Sequence, residues 1–122
     1  MKLDLEKVGG NVIRGFANGR ILVGAEIVST PLIVTIDRLV LDWSPPAVEQ
    51  LGFADFQPVL ELEPEVILLG TGERQRFPPL AVTTAILRLG IGIEIMNTAA
   101  ACRTYNVLVS ELRRVAAALF IH

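Results

Sequence analysis

The 122-residue sequence has one cysteine and one histidine, and these two scarcities exclude several function classes at once. A lone Cys102 cannot build an internal disulfide framework, so a small bridge-stapled secreted scaffold is ruled out. The only histidine, His122, is the final residue, which takes the commonest catalytic base and metal ligand out of the body of the chain. No cluster of side chains has metal-ligand spacing, and neither a metal nor a cofactor is expected. Long hydrophobic runs are missing too. The longest charge-free stretch, Phe77 to Leu87, is 11 residues long and contains Pro78-Pro79. A helical span needs roughly 20 apolar residues, so no transmembrane segment is expected, although the chain is 52% hydrophobic with a mean hydropathy of +0.53. There is no excess of positive charge. Eleven Lys and Arg against thirteen Asp and Glu give a net charge of −2, which argues against nucleic acid as a partner. The opening Met1-Lys2-Leu3-Asp4-Leu5-Glu6 carries acids where a targeting peptide would be basic and acid-poor, and this points to a cytoplasmic protein.

What is present is the pattern of one α/β domain over residues 1–122, long enough to bury a sizeable core. Its first half is β-rich. Val12 to Ala17 and Arg20 to Ala25 flank Asn18-Gly19, a pair suited to a type I′ hairpin because both central positions need positive φ. Leu32 to Ile36 and Leu39 to Trp43 flank Asp37-Arg38, a second hairpin with weaker turn chemistry. Pro45-Pro46 closes this half, and Ala47 to Leu51 can form one helical turn before Gly52. The second half alternates strands and helices. Glu65 to Leu69 is an almost continuous apolar strand ending at Gly70-Thr71-Gly72, as expected for burial on both faces. Leu80 to Leu89 has helical length, with Gly90 where a C-terminal glycine would stop it. Ile91 to Met96 is the next strand, Asn97-Thr98 caps a helix from Ala99 to about Ser110, and Arg113 to Ile121 is the last strand. The strand–helix–strand–helix–strand order predicts three layers, with the first crossover parallel and a β-hairpin layer added by the first half.

Two stretches fall at the carboxyl ends of successive strands, where open α/β sheets form ligand crevices. Gly70-Thr71-Gly72 is either a tight turn or a set of backbone N–H groups presented to an anion or carbonyl. It is too short for a dinucleotide fingerprint and lacks a phosphate-loop lysine. The helix from Asn97 to Asn106 offers a free N-terminus and a dense polar set: Thr98, Cys102 and Asn106 along one stripe, with Arg103 beside them. One reading makes these groups structural, with Thr98 capping, Tyr105 buried and bonded, and Arg103 paired to a carboxylate. The other makes Gly70, Thr71, Gly72, Asn97, Thr98, Cys102, Arg103, Tyr105 and Asn106 a small polar pocket in which Arg103 grips a carboxylate or phosphate. No catalytic apparatus is visible. Cys102 lies a turn inside the helix with no histidine to activate it and reads as a small buried hydrophobe. Asp37, Asp42, Asp55, Glu61, Glu63 and Glu65 scatter like solvated surface acids.

At these stretches the chain resembles the Mth938-like proteins, a domain family of unknown function that includes the mitochondrial complex I assembly factor 3 group. The resemblance rests on Glu65-Val66-Ile67-Leu68-Leu69-Gly70-Thr71-Gly72, on Gly92-Ile93-Glu94-Ile95-Met96-Asn97-Thr98, and above all on Ala100-Ala101-Cys102-Arg103-Thr104-Tyr105-Asn106-Val107-Leu108. It continues through Arg113-Arg114-Val115-Ala116-Ala117-Ala118-Leu119, and is weaker in the first half around Gly15-Phe16 and Trp43. Two residues depart from the family pattern: Leu112 stands where glycine is usual, and Asn97 where an acid is frequent. The resemblance implies a three-layer fold around a mixed five-stranded sheet with one strand antiparallel to the rest. It brings no established reaction. It implies a non-catalytic accessory role that holds other proteins. The high apolar content points to an exposed apolar surface on the β-rich half for this, and the same surface suits a homodimer. The alternative is a small-molecule or anion-binding protein, or an enzyme, using the pocket between Gly70-Thr71-Gly72 and the Thr98 to Asn106 helix.

Overall fold

A computed structural model describes residues 10–122, so the reading of Met1 to Glu6 lies outside the described residues. Among the described residues, eight strands form two sheets. Three strands, β1 (Ile13–Ala17), β2 (Arg20–Val23) and β3 (Glu26–Val28), make an antiparallel meander. The expected turn at Asn18-Gly19 joins β1 to β2, with φ of +55° and +69°. The third strand is a departure from the sequence reading, which ran Arg20 to Ala25 as one strand. Gly24 at φ +58° reverses the chain after Val23, and three residues too short to show alternation pair back onto β2.

The larger sheet has the order β5-β4-β8-β6-β7, built from β4 (Leu32–Val34), β5 (Leu39–Val40), β6 (Val66–Thr71), β7 (Gly92–Met96) and β8 (Val115–Phe120). β6 pairs parallel with both β7 and β8, and β4 runs antiparallel to β8 and β5, so one strand opposes the other four. The hairpin around Asp37-Arg38 is closed by a side chain. Thr35 Oγ1 accepts from the Arg38 N–H at 3.0 Å and donates to Asp37 Oδ1 at 3.0 Å, compensating for the missing glycine.

Strand alternation sends the two faces of this sheet into two cores. Val66, Leu68, Ala117 and Leu119 face the helix α3 (Thr98–Ser110) and the three-stranded meander. Ile67, Leu69, Ala116, Ala118 and Phe120 face Trp43, Val48, Leu51, Phe56 and the helix α2 (Leu80–Arg88). The result is three layers, with the meander sharing the α3 side. Alanine is a poor strand former, yet Ala116 to Ala118 occupy the central β8, fully buried, because packing on both faces outweighs intrinsic preference. Between the Pro45-Pro46 break and β6, the single turn expected over Ala47 to Leu51 is a 3-10 turn at Val48–Gln50, followed by a second at Phe53–Phe56 and a short helix α1 (Gln57–Leu60). Their anchor is Phe56, buried completely. Among the described residues no helix is long and apolar enough to cross a membrane.

Candidate functional site

Both sequence-predicted stretches meet, but as a bonded junction. β6 does not stop at Leu69: Gly70 pairs with Met96 and Leu119, and Thr71 with Phe120, so the expected turn is still strand. A Cβ on Gly70 would stand 2.8 Å from Leu119 Cδ2 and 3.0 Å from Thr98 Oγ1, which is why only glycine lets α3 sit this close to the sheet. Gly72 turns at φ +92°, and a Cβ there would overlap the His122 backbone. The Thr98 hydroxyl, fully buried, ties three elements together. It accepts from the Gly72 N–H at 2.8 Å and donates to the Phe120 carbonyl at 2.6 Å, while the Thr98 N–H donates to the Gly72 carbonyl at 2.8 Å.

Thr98 is therefore a brace, and the cap is Asn97, whose Oδ1 accepts from the Ala100 N–H at 2.8 Å. These bonds occupy the N–H groups of Thr98 and Ala100, and Ala101 already begins the helical ladder on the Asn97 carbonyl. Among the described residues only the Ala99 N–H remains unbonded at this helix start, which weakens it as an anion cradle. Thr71 is absorbed in the same way: its hydroxyl donates toward the Arg74 and Met96 carbonyls and accepts from the Arg76 N–H.

The rest of the polar helix faces β1. Asn106 clamps one residue from both sides, its Oδ1 accepting from the Ile13 N–H at 3.0 Å and its Nδ2 donating to the Ile13 carbonyl at 2.6 Å. Tyr105 is fully buried, and its hydroxyl donates to the Asn11 carbonyl at 2.8 Å. Burial pushes its ionisation above the ordinary tyrosine range, reinforced by the Asp37 charge, so the phenol stays neutral and a donor. Cys102 packs in the core beneath the meander. Burial pushes its thiol up to about 12, against a smaller opposing pull from Arg103. A thiol so protonated at neutral pH is no nucleophile. Arg103, by contrast, is exposed, and among the described residues it has no ion pair or hydrogen bond. With Ala99, Cys102 and Asn106 it lines an open cleft of about 260 Å³ against β1 residues 13–16.

A second cleft, about 450 Å³, is one that sequence reasoning missed. Arg38, Asp42, Trp43, Asp55, Pro58 and Glu61 are among its lining residues, and the Trp43 indole N–H donates to the Asp55 carbonyl at 2.9 Å. Three acids that look scattered along the chain are gathered here by the fold, and no spacing in the sequence marks them. Among the described residues no three of His, Cys, Asp and Glu stand together as a metal-binding group. Exposed large apolar side chains fall mostly in the second half, at Phe77, Leu80, Leu87, Leu89, Val107 and Leu112, and not in the β-rich half where the sequence placed the apolar surface. Ile27, Leu41 and Phe53 are those in the first half.

The comparisons with known proteins agree with this architecture. The chain is 32% identical over 118 residues to the 13 kDa major membrane protein of Francisella tularensis, covering 94% of this chain and 95% of that one. It is 33% identical over 121 residues to the NADH dehydrogenase [ubiquinone] 1 alpha subcomplex assembly factor 3 of Xenopus tropicalis, covering 97% of this chain and 65% of the frog protein. Among solved structures, a Xanthomonas campestris protein superposes with a TM-score of 0.83 at 47% identity, covering 91% of this chain and 84% of that one. A Mth938-like domain protein of Bordetella pertussis superposes with a TM-score of 0.68 at 28% identity, covering 98% of this chain and 92% of that one. The model of the protein family of unknown function DUF498/DUF598 matches residues 13–120, and with these likenesses the chain belongs to that Mth938-like family.

Proposed function

We propose that this protein is a non-catalytic assembly accessory that works by holding other proteins. The observation that carries the reading is the alignment of almost the entire chain with an assembly factor of NADH dehydrogenase, 33% identical over 121 residues. The chain spans 65% of that relative's length, so the role is carried over as a proposal about the shared domain. The exposed Phe77, Leu80, Leu87 and Leu89 give it apolar surface of the kind that binds protein. The reading treats residues 1–122 as one domain acting in the cytoplasm, with protein partners, as a homodimer, and without nucleic acid or cofactor. Deleting the gene in the host of origin tests it. The expected result is less assembled NADH dehydrogenase on native gels, restored by the parent chain and not by Leu80→Asp/Leu87→Asp; normal complex levels in the deletion strain would refute the role.

A second reading rests on Arg103. A guanidinium that is exposed and, among the described residues, has no carboxylate partner, on the rim of a cleft that also holds the Asn106 amide, suits a small anionic ligand. Thermal-shift measurements with anionic metabolites separate the two: a ligand that stabilises the parent and not Arg103→Ala favours this reading. A flat response across the set favours the first.

A further inference from the structure

β7 is an open edge of the five-stranded sheet. It pairs with β6 on one side and, among the described residues, with no strand on the other. The Gly92 N–H donates to the Glu65 carbonyl, so the backbone groups of Gly92, Glu94 and Met96 point to β6 and those of Ile91, Ile93 and Ile95 point outward. The Ile95 carbonyl confirms the direction, since it accepts from the exposed Gln75 Nε2 at 2.9 Å. Sheet edges are normally blunted by extreme shortness, lysine, proline or cover. The opposite edge, β5, is two residues long. β7 is five residues long, without proline or lysine, and its one charge is Glu94.

The segment Ile91-Gly92-Ile93-Glu94-Ile95 is complementary to its own reverse. We propose that a second copy of this chain pairs antiparallel with β7 about a two-fold axis at Ile93. Ile93 then lies opposite its counterpart, Ile91 opposite Ile95, and Gly92 opposite Glu94. Every outward-pointing N–H and C=O of the three isoleucines meets a partner, in the closely bonded pairs of an antiparallel ladder. On the side covered by α2, Ile91, Ile93 and Ile95 already flank the core of Ile67, Leu69 and Ile86, and pairing continues that apolar row into the second copy. On the other side, Gly92 leaves room for the opposing Glu94 carboxylate. The neighbouring register, with Ile93 opposite Ile95, sets two Glu94 side chains face to face and is disfavoured by like charge. Gln75 does not block the pair, because a carbonyl has two lone pairs and can keep the amide while accepting from Ile91 of the second copy. The pairing rests on the homodimer of the proposed reading and gives it a specific interface. A monomer would overturn the pairing, whereas the gene deletion tests the assembly role.

Light scattering after size exclusion, on the full chain over rising concentration, should show the mass climbing from 13.3 kDa to twice that value. Ile93→Pro removes an outward-facing N–H, a placement a strand edge tolerates, together with a half-buried side chain at the rim of the core, and should remain monomeric while keeping the circular dichroism of the folded chain. The register is read with cysteine variants that do not depend on that substitution. Gly92→Cys is sterically open, its Cβ meeting Val66 Cγ2 at 3.5 Å. In the proposed pair, positions 92 and 94 oppose each other in a non-bonded pair whose Cα separation of about 4.5 Å accepts a disulfide. Mild oxidation of mixed Gly92→Cys and Glu94→Cys chains should give a covalent dimer, and neither variant alone should do so; Cys102 is buried and does not compete. A mass of 13.3 kDa at every concentration overturns the proposal, as does a dimer whose mixed variants fail to cross-link or whose Glu94→Cys cross-links alone.

Discussion

Replacing Leu112 with glycine should stabilise the protein, although it deletes a large apolar side chain at the end of the longest helix. Leu112 has φ of +63° and is the first residue beyond the Glu111 cap of α3. Its N–H donates to the Val109 carbonyl at 2.9 Å, and the Arg113 N–H donates to the Leu108 carbonyl at 3.0 Å. That pair of bonds is a Schellman closure, which requires a left-handed residue where Leu112 stands. The backbone thus imposes on leucine a left-handed conformation that glycine adopts freely. A residue with a Cβ pays about 1–2 kcal/mol to sit there. Glycine removes that strain but adds freedom to the unfolded chain, worth about 0.4–1 kcal/mol in the other direction. Leu112 is 81% exposed, so little burial is lost. The net is a gain of about 0.5–1 kcal/mol, or a rise of about 2–4 °C in Tm for a chain of this size. Urea denaturation followed by circular dichroism reads the difference. Leu112→Ala keeps the Cβ and should stay within about 0.5 kcal/mol of the parent. If the alanine variant gained as much as glycine, or glycine lowered the midpoint, the strain argument would fail.

Asn106→Ala removes both bonds to Ile13 and leaves a part-buried N–H and C=O unpaired, a loss of about 2–3 kcal/mol in the same denaturation assay. An unchanged midpoint would mean that Asn106 does not fasten α3 to the meander. Cys102 should resist alkylation in the native protein at pH 8 and react once denaturant is added, because its thiol is buried and pushed up to about 12; fast native labelling would contradict that environment. Glu65 is held below the ordinary carboxylate range, first by the Arg114 N–H at 2.8 Å and then by Arg113 at 3.2 Å. A depressed carboxylate contributes stability above its unfolded value and loses it as pH falls through the folded one. Melting temperatures of the parent and Glu65→Gln should therefore converge on acidification below the ordinary range, and a gap that widened there would reverse the assignment.

Periodicity and turn chemistry were enough for most elements. The Asn18-Gly19 hairpin, the doubly buried Val66 to Leu69 run, the Leu80 helix with its Gly90 stop and the Asn97 cap each depend on residues within a few positions of one another, so local rules suffice. The Cys-Arg-Thr-Tyr-Asn string also stood out, because polar side chains are unusual on a helix of alanine, valine and leucine. Its meaning did not follow from the spacing. Tyr105 and Asn106 reach Asn11 and Ile13, more than ninety residues away, and no helical periodicity encodes that distance. The third strand escaped because three residues carry too little pattern, and Asp42, Asp55 and Glu61 looked like solvated acids until the fold lined them along one cleft.

The sequence by itself determined the class of the protein. The alternation of short apolar strand-like runs with helix-length segments specifies an α/β fold around a buried sheet, and it does so because the spacing of apolar residues sets which elements can bury a face. Tertiary structure decided the roles. Whether Gly70 ends a strand or continues it depends on the space that Thr98 and Leu119 leave, and whether Thr98 caps or braces depends on the Phe120 carbonyl that another strand delivers. Leu112 became a strained position only when the Leu108 and Val109 carbonyls fixed the turn around it. Each of these roles is set by a partner distant in the chain or by a backbone angle, and neither is written in the residue itself.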